Sequence, residues 1–538
     1  MQVVTTNTQP FDDQKPGTSG LRKKVSVFTQ KHYLNNFVQS IFNAVNGIES
    51  LVLGGDGRYF NATAIQVIVR MAAANGVNKL IIGRNGLLST PAVSALIRHH
   101  QTDGGIILSA SHNPAGENGD FGIKFNTPNG APAPQHITDA IYRHSLKMNQ
   151  YRTIQCTDID LSRLGTFSVA DMMITIIDPV DHYAGLMASL FDFDAISAMF
   201  ATGFRMRFDA MHAITGPYAK AIFENRLGAP SGTVINGLPL PDFGGGHPDP
   251  NLIHAKSLVA ELFSDHGPAF GAASDGDGDR NLILGKHCFV TPSDSLAVIA
   301  AMHEHVPVFS GGIKGVARSM PTSQAVDVVA QARAMEYFET PTGWKFFCNL
   351  MDAGRVQLCG EESFGTGGDH VREKDGLWAV LCWLNILAKT RQPVQTLLQN
   401  HWRAFGRHYY SRHDYENIDA QIADSMMQSM LEALRGCVGQ AIADDVIRQA
   451  DEFTYVDPID ASRAEHQGLR LILDNARIIF RLSGTGTSGA TLRVYLERFH
   501  RHDIAMETQQ ALSELIQFAD TFAQIKHKSG RQVPDVIT

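Results

Sequence analysis

Ser111 lies in LSASHNPAGENGDFGIKFN, directly after an apolar run and before a loop rich in Gly, Asn and Pro. A hydroxyl at the carboxyl end of a strand stands where α/β sheets present their ligands. A serine needs an activating partner to act as a nucleophile; His112 is adjacent, and Lys124 follows at the end of the next extended run. No Gly-x-Ser-x-Gly elbow of a hydrolase surrounds it. Taken alone, the segment also reads as a turn serine bonded to its own backbone.

A second cluster is Asp275-Gly-Asp277-Gly-Asp279-Arg280. Carboxylates at every second position of an extended segment point to one side, and three of them repel unless a cation joins them. Hard oxygen donors favour magnesium or calcium, and magnesium often completes its shell with water and a substrate phosphate. The EF-hand pattern fails, because Arg280 stands where its glycine belongs and Lys286 where its last acid belongs. A solvated acidic turn is the plain alternative; Arg280 speaks against it, since a guanidinium beside a metal suits phosphate.

A third cluster, Arg481-Leu-Ser483-Gly-Thr485-Gly486-Thr487-Ser-Gly with Arg493 beyond, holds the usual parts of a phosphate cradle: backbone amides, hydroxyls and forked cations. Its glycines match a dinucleotide fingerprint, but a strand-like run follows where that motif needs a helix. No Walker-type phosphate loop occurs in the chain. A ligand-free glycine hairpin remains compatible with this segment. In the fourth cluster, Gly360-Glu361-Glu362-Ser363, vicinal acids suit sugar hydroxyls, and His370 and Lys374 follow. Alone it reads equally as an acidic turn. Thr342-Gly343 and Thr18-Ser19 with Arg22 are weaker signals of the same kind.

The elements that must hold these groups alternate. Ser50 to Leu53 reads as a strand ending in a glycine turn, Ala62 to Asn75 as a helix and Lys79 to Ile82 as a strand. Pro91 to His100 reads as a helix, and Gly105 to Leu108 as the strand feeding the serine loop. That order predicts a parallel or mixed sheet covered by helices. Toward the end, a helix is expected over Ile422 to Leu434 and a strand–loop–strand over Arg477 to Tyr495. The chain of 538 residues exceeds one core, and its length suggests roughly three to four units. A net charge of −8 without a basic block argues against nucleic acid. Six scattered cysteines form no CxxC pair, so neither zinc nor a disulfide framework is signalled. The apolar run Leu377 to Ala388 is too short to span a bilayer. A cytoplasmic location, with no membrane partner, is expected.

Together the motifs are recognisable. KPGTSGLRKKV, SASHNP, NGDFGIKFN, DGDGDRN, PTGWKFF, GEESFGTGGDHVREKDGLWA and FRLSGTGTSGATLRVYLE occur in the order found in the α-D-phosphohexomutases, which this sequence resembles from residue 15 to about 497. The resemblance implies an α/β molecule of four domains around a central cleft. Three are related α/β mixed-sheet units, at 1–182, 183–288 and 289–393, and the fourth is a smaller α+β domain at 394–538. It implies that Ser111 carries the transferred phosphoryl group, with His112 and Lys124 as proton carriers. One Mg²⁺ would be held by Asp275, Asp277 and Asp279 together with Ser111. Thr18, Ser19, Arg22, Asp279, Arg280, Thr342, Gly343, Glu361, Ser363 and Lys374 would contact substrate. Arg481, Ser483, Thr485, Gly486, Thr487 and Arg493 would cradle the non-reacting phosphate.

The implied reaction interconverts α-D-glucose 1-phosphate and α-D-glucose 6-phosphate through glucose 1,6-bisphosphate, which also serves as activator. Sugar phosphates are the expected partners, and a monomer or weak homo-oligomer the expected state. A mutase of broader scope that also takes mannose phosphates is the runner-up. A non-catalytic scaffold relative is the reading from another class, and it would relax the nucleophile or the metal ligands. Ala115, Glu117 and Ser109 depart from the family's commonest residues without removing a donor or ligand.

Overall fold

The computed structural model describes residues 2–484 and 489–538. Strands form where apolar runs have no polar face. Ser50–Gly55 is buried beyond its first residue and Gly105–Leu108 throughout, as expected of strands covered on both sides. Among the described residues four larger sheets result, of seven, five, four and seven strands.

The first sheet runs Leu21–Lys24, Asp120–Asn126, Gly105–Leu108, Ser50–Gly55, Lys79–Leu87, Met172–Ile177, Gly165–Val169. Its centre repeats in the next two sheets. In each, the first strand in sequence lies between the second and the third, all three parallel, and a fourth pairs antiparallel with the third. The second sheet builds this from Met206–Asp209, Val234–Ile235, Phe270–Ala273 and Leu282–Gly285, and the third from Gly315–Ser319, Glu336–Thr340, Leu358–Glu361 and Gly365–Gly368. The Ser111 loop, the acidic loop and the vicinal-acid loop each connect the third strand of this pattern to the fourth. This threefold equivalence is not visible as sequence similarity, because the shared feature is strand order.

Two expected unit boundaries shift. Cys288–Val290 pairs with Leu282–Gly285 and so continues the second sheet past residue 288. Helix Val394–Phe405 buries Val394, Leu397 and Leu398 in the same core as helix Pro292–Ala301, so it belongs with the third unit rather than the fourth. The last sheet is antiparallel and begins at Arg407; helices Ala420–Leu434 and Ser513–Ala523 cover it.

Among the described residues no single helix is long and apolar enough to cross a membrane. The bent pair Asp181–Leu190 and Phe193–Ala201 buries Tyr183, Met187, Ile196 and Phe200 in the largest core cluster. Helix Gly376–Thr390 is the apolar run read from sequence, fully packed around Trp378 and Trp383. Its Asn385 accepts from the Asp192 backbone N–H at 3.0 Å, which satisfies an amide buried in that core.

Candidate active site

The serine loop is clamped from below. Ser111 adopts φ 52°, a left-handed conformation that costs a non-glycine residue of order 1–3 kcal/mol and persists only where its surroundings impose it. Ser109 Oγ accepts from the Ser111 N–H at 2.7 Å and donates to Asp56 at 2.7 Å. Arg58 pairs with Asp56 and donates from Nη2 to the Ser111 carbonyl at 2.7 Å and from Nη1 to the Asp120 carbonyl at 2.8 Å. Asp56 and Arg58 are both buried. Burial pushes the Asp56 carboxyl up, and Arg58 opposes that. In sequence, Gly54-Gly55-Asp56-Gly57 reads only as a glycine turn; the signal for this clamp is the Asp-x-Arg pair closing a buried strand.

The strained serine presents its hydroxyl to the second loop. Ser111 Oγ donates to Asp275 Oδ2 at 2.7 Å, and His112 Nδ1 lies 3.4 Å from Ser111 Oγ. The loops touch so closely that a Cβ on Gly276 would stand 2.3 Å from the Ser111 carbonyl oxygen.

The acidic loop is a turn rather than the extended segment expected from its spacing. Its carboxylates converge because the chain folds around Asp275, whose Oδ1 accepts from the backbone N–H groups of Gly278, Asp279 and Arg280 at 3.0–3.2 Å. Gly278 supplies φ +83°, which glycine adopts without a steric penalty. One carboxylate oxygen from each of Asp275, Asp277 and Asp279 lies within 4.8 Å of the others. Thr90 donates to Asp277 Oδ2 at 2.6 Å, tying the first unit to this loop. Burial and the two neighbouring aspartates push the Asp275 carboxyl well up. Asp277 Oδ1 and Asp279 Oδ1 are buried with no hydrogen-bond partner among the described residues. Three buried carboxylates that converge, two of them with an unpartnered oxygen, are what an oxygen-seeking divalent cation satisfies, so this donor set fits a metal ion.

Cations from other elements surround the acids. Arg280 Nε lies 3.9 Å from both Asp275 and Asp279, and its Nη1 lies 3.6 Å from Asp249. Lys374 Nζ lies 3.0 Å from Asp279 and 4.0 Å from Glu361, bridging the second and third loops. Burial opposes the Lys374 charge, but Asp279 and Glu361 outweigh it and raise its pKa. Arg22 is on edge strand Leu21–Lys24; burial holds its guanidinium below the usual range, against the pull of Asp277 and Asp279. Burial, then Arg280 and Arg22, hold the His112 imidazole well below its usual range and therefore neutral.

Lys124 sits within strand Asp120–Asn126 rather than at its end, and its ammonium lies 3.1 Å from Glu373. Asn126 also donates to that carboxylate at 2.9 Å. Neither Glu373 nor Thr90 was singled out from sequence. Glu361 accepts from the Gly343 N–H at 2.9 Å, and Thr18 Cγ2 would lie 3.0 Å from a Cβ on Gly343. Thr342 Oγ1 is buried without a partner among the described residues. Ser363 is half-buried in the third loop and Ser19 half-buried in the turn before Arg22.

In the last domain, strands Ala476–Gly484 and Ala490–His500 set Arg481 directly opposite Arg493 and Ser483 opposite Thr491. Arg493 is near enough to His112 for its charge to bear on that imidazole, so this hairpin approaches the serine loop. The expected cradle members Thr485, Gly486 and Thr487 lie outside the described residues.

Comparisons with known proteins agree with this layout. Residues 13–152, 181–287 and 292–405 match family models described as phosphoglucomutase/phosphomannomutase α/β/α domains I, II and III, and residues 407–535 match phosphoglucomutase-1, C-terminal domain. The chain is 55% identical over 543 residues to a phosphoglucomutase of Rhizobium radiobacter, with both chains covered in full. It is 50% identical to phosphoglucomutase-1 of Homo sapiens, again covering 100% of each. Among solved structures it is similar to the open form of the Paramecium exocytosis-sensitive phosphoprotein parafusin, a phosphoglucomutase, at 48% identity and TM-score 0.91, covering 100% of this chain and 99% of that one.

Proposed function

We infer the function from one premise: the chain belongs to the phosphoglucomutase/phosphomannomutase family, whose domain models cover it almost from end to end. It is an enzyme of phosphoglucomutase type, interconverting α-D-glucose 1-phosphate and α-D-glucose 6-phosphate. The observation that carries this reading is the 2.7 Å hydrogen bond from Ser111 Oγ to Asp275, which joins a buried nucleophile to an acidic cluster.

Ser111 is the phosphoryl carrier. In the first half-reaction the Oγ–phosphorus bond breaks and the same phosphorus bonds to the free sugar hydroxyl, giving glucose 1,6-bisphosphate. The hydroxyl proton ends on Ser111 Oγ by way of a group in the cleft. Neutral His112 can accept a proton, and Lys124, ion-paired to Glu373, can donate one. The bisphosphate then turns over and returns its other phosphoryl group to Ser111. Such a transfer asks for position and charge rather than covalent chemistry. Arg280 faces the reacting phosphate, Glu361 and Ser363 meet the sugar, and Arg481 and Arg493 hold the idle phosphate.

Asp275, Asp277 and Asp279 with Ser111 are the residues that would hold one Mg²⁺, which when bound supplies charge neutralisation at the phosphoryl oxygens. Lys374 spans the acidic and sugar loops and so keeps substrate recognition in register with the nucleophile. The cytoplasm suits the six cysteines, all free thiols.

Ser111→Ala should abolish turnover of glucose 1-phosphate, followed by coupling to glucose-6-phosphate dehydrogenase, and should remove covalent phosphate from the purified protein. EDTA should silence the parent enzyme and Mg²⁺ restore it. Substantial turnover by the Ser111→Ala protein would refute the serine relay, and full activity in chelator would refute the metal assignment.

A further inference from the structure

A line of buried charges runs from the sugar loop to the phosphate arginines, through residues that the proposed reaction does not use. It begins in the antiparallel sheet of the last domain. Strand Arg407–Ile418 pairs with Ala490–His500 so that Asp414 faces Arg493 and Arg412 faces Tyr495. On the other side of Ala490–His500, Arg481 faces Arg493. Residues two apart share one face of a strand, so Arg412, Asp414, Arg493, Tyr495 and Arg481 stand on one surface. Two arginines directly opposite repel. The strand on the far side answers with Asp414, whose Oδ2 lies 3.6 Å from Arg493 Nε.

Asp414 is itself shared. Its Oδ1 lies 3.1 Å from Arg412 Nε, and Arg412 Nη1 donates at 2.8 Å to Glu362 Oε2. Glu362 comes from the third unit, where it is the neighbour of Glu361 in the sugar loop, and Thr322 Oγ1 accepts from its backbone N–H at 2.8 Å. Glu362, Arg412 and Asp414 are 4%, 9% and 3% exposed. At this depth a charge is tolerated only when paired, so no member can move without consequence for the next.

The line is tight at one end and loose at the other. Arg412 and Glu362 make an aligned bond, whereas Arg412 Nε, Asp414 Oδ1 and Arg493 Nε are buried with no aligned hydrogen-bond partner among the described residues. The loose end is the arginine assigned to the idle phosphate. A phosphate dianion on Arg493 would take over the balancing of that charge, free Asp414 to turn fully onto Arg412, and so fix Arg412 against Glu362 beside Glu361. Coupling of this kind is reciprocal by linkage.

We propose that Arg412 is a positioning residue that couples the phosphate cradle to the sugar loop, so that each end of a sugar phosphate tightens the grip on the other. The proposal rests on the phosphate and sugar assignments made above. It explains why a mutase whose bisphosphate must be regripped after turning would keep a buried charge chain between its two recognition loops.

The test is a double-mutant cycle on two residues with no direct contact in this chain of charges. In a Ser111→Ala background, which binds without transferring, glucose 6-phosphate affinity is measured by calorimetry for Glu362→Gln, Arg493→Lys and their combination. Each single change should weaken binding, and the combined loss should fall short of the product of the two by about fivefold or more, the lower range of site-to-site coupling. Adding Arg412→Lys should make the losses multiply, because a point ammonium cannot fork between two carboxylates. Multiplicative losses with Arg412 intact would overturn the relay while leaving the mutase reading in place. Failure of the Ser111→Ala protein to bind glucose 6-phosphate, with no turnover by the parent, would overturn both. Glu362→Gln, Arg493→Lys and their combination decide the matter even if Arg412→Lys fails to fold.

Discussion

Replacing Arg58 with methionine separates what stabilises this protein from what aims its nucleophile. The guanidinium is 1% exposed and meets Asp56, also 1% exposed, at 2.9 Å. Removing one member of a buried pair leaves the other charged and unpaired, which costs about 3–5 kcal/mol. The same change deletes the donor to the Ser111 carbonyl and leaves the strained φ of 52° without its clamp. Relaxation of that strain, of order 1–3 kcal/mol, then favours a serine turned away from Asp275. Asp56→Asn combined with Arg58→Met removes the stranded charge but not the misplacement. Urea denaturation should therefore show a loss of about 3–5 kcal/mol for Arg58→Met and recovery of most of it in the double variant. The dehydrogenase-coupled assay should show turnover down by about 10² in both, the scale of a roughly 1 Å error in placing a reacting group. Parental turnover by the double variant would refute the clamp. A loss below about 1 kcal/mol in Arg58→Met would refute the burial argument.

Two further outcomes follow from close contacts and from burial. Gly276→Ala places a Cβ 2.3 Å from a carbonyl that Arg58 holds fixed, so the serine and acidic loops must part; kcat/KM should fall by about 10² with a near-parental melting temperature, and near-parental kcat/KM would refute the contact. His401, 5% exposed in helix Val394–Phe405, is held by burial at a pKa of about 4. The unfolded chain takes up that proton first, so the contribution of neutral His401 is complete above the ordinary histidine range and is lost as pH falls toward 4. Parent stability from urea midpoints should drop by about 2 kcal/mol more than that of His401→Leu between pH 7 and 4.5; equal drops would refute the assignment.

The local elements were legible because they depend on neighbours in sequence. The strand over Gly105–Leu108 agrees to the residue, and the helix expected from Pro91 begins one residue earlier, at Thr90. Ser89 caps that helix and Pro91 sits in its first turn, signals that act within a few residues. The strand after Lys79 runs on to Leu87, past the expected Ile82, because Gly55 of the neighbouring strand pairs with Leu87 across a register shift. The shape of the acidic loop differs from the expected extended segment for a local reason. An alternating Asp-Gly pattern suits an extended chain, but three backbone N–H groups folding onto Asp275 outweigh it.

Residue types alone determined the chemistry on offer: a serine hydroxyl, hard oxygen donors in one short run, vicinal acids, and forked cations beside glycines. Side-chain functional groups do not depend on the fold for their identity. Only the tertiary structure decided that loops some 160 residues apart in sequence meet at a hydrogen bond. It also decided that Asp56, Arg58, Thr90, Glu373 and Arg412 stand behind the obvious groups. The reason is that these partners lie far apart in the chain and are selected by burial. An ionised side chain deep in a protein must find its counter-charge wherever the packing of other elements brings one.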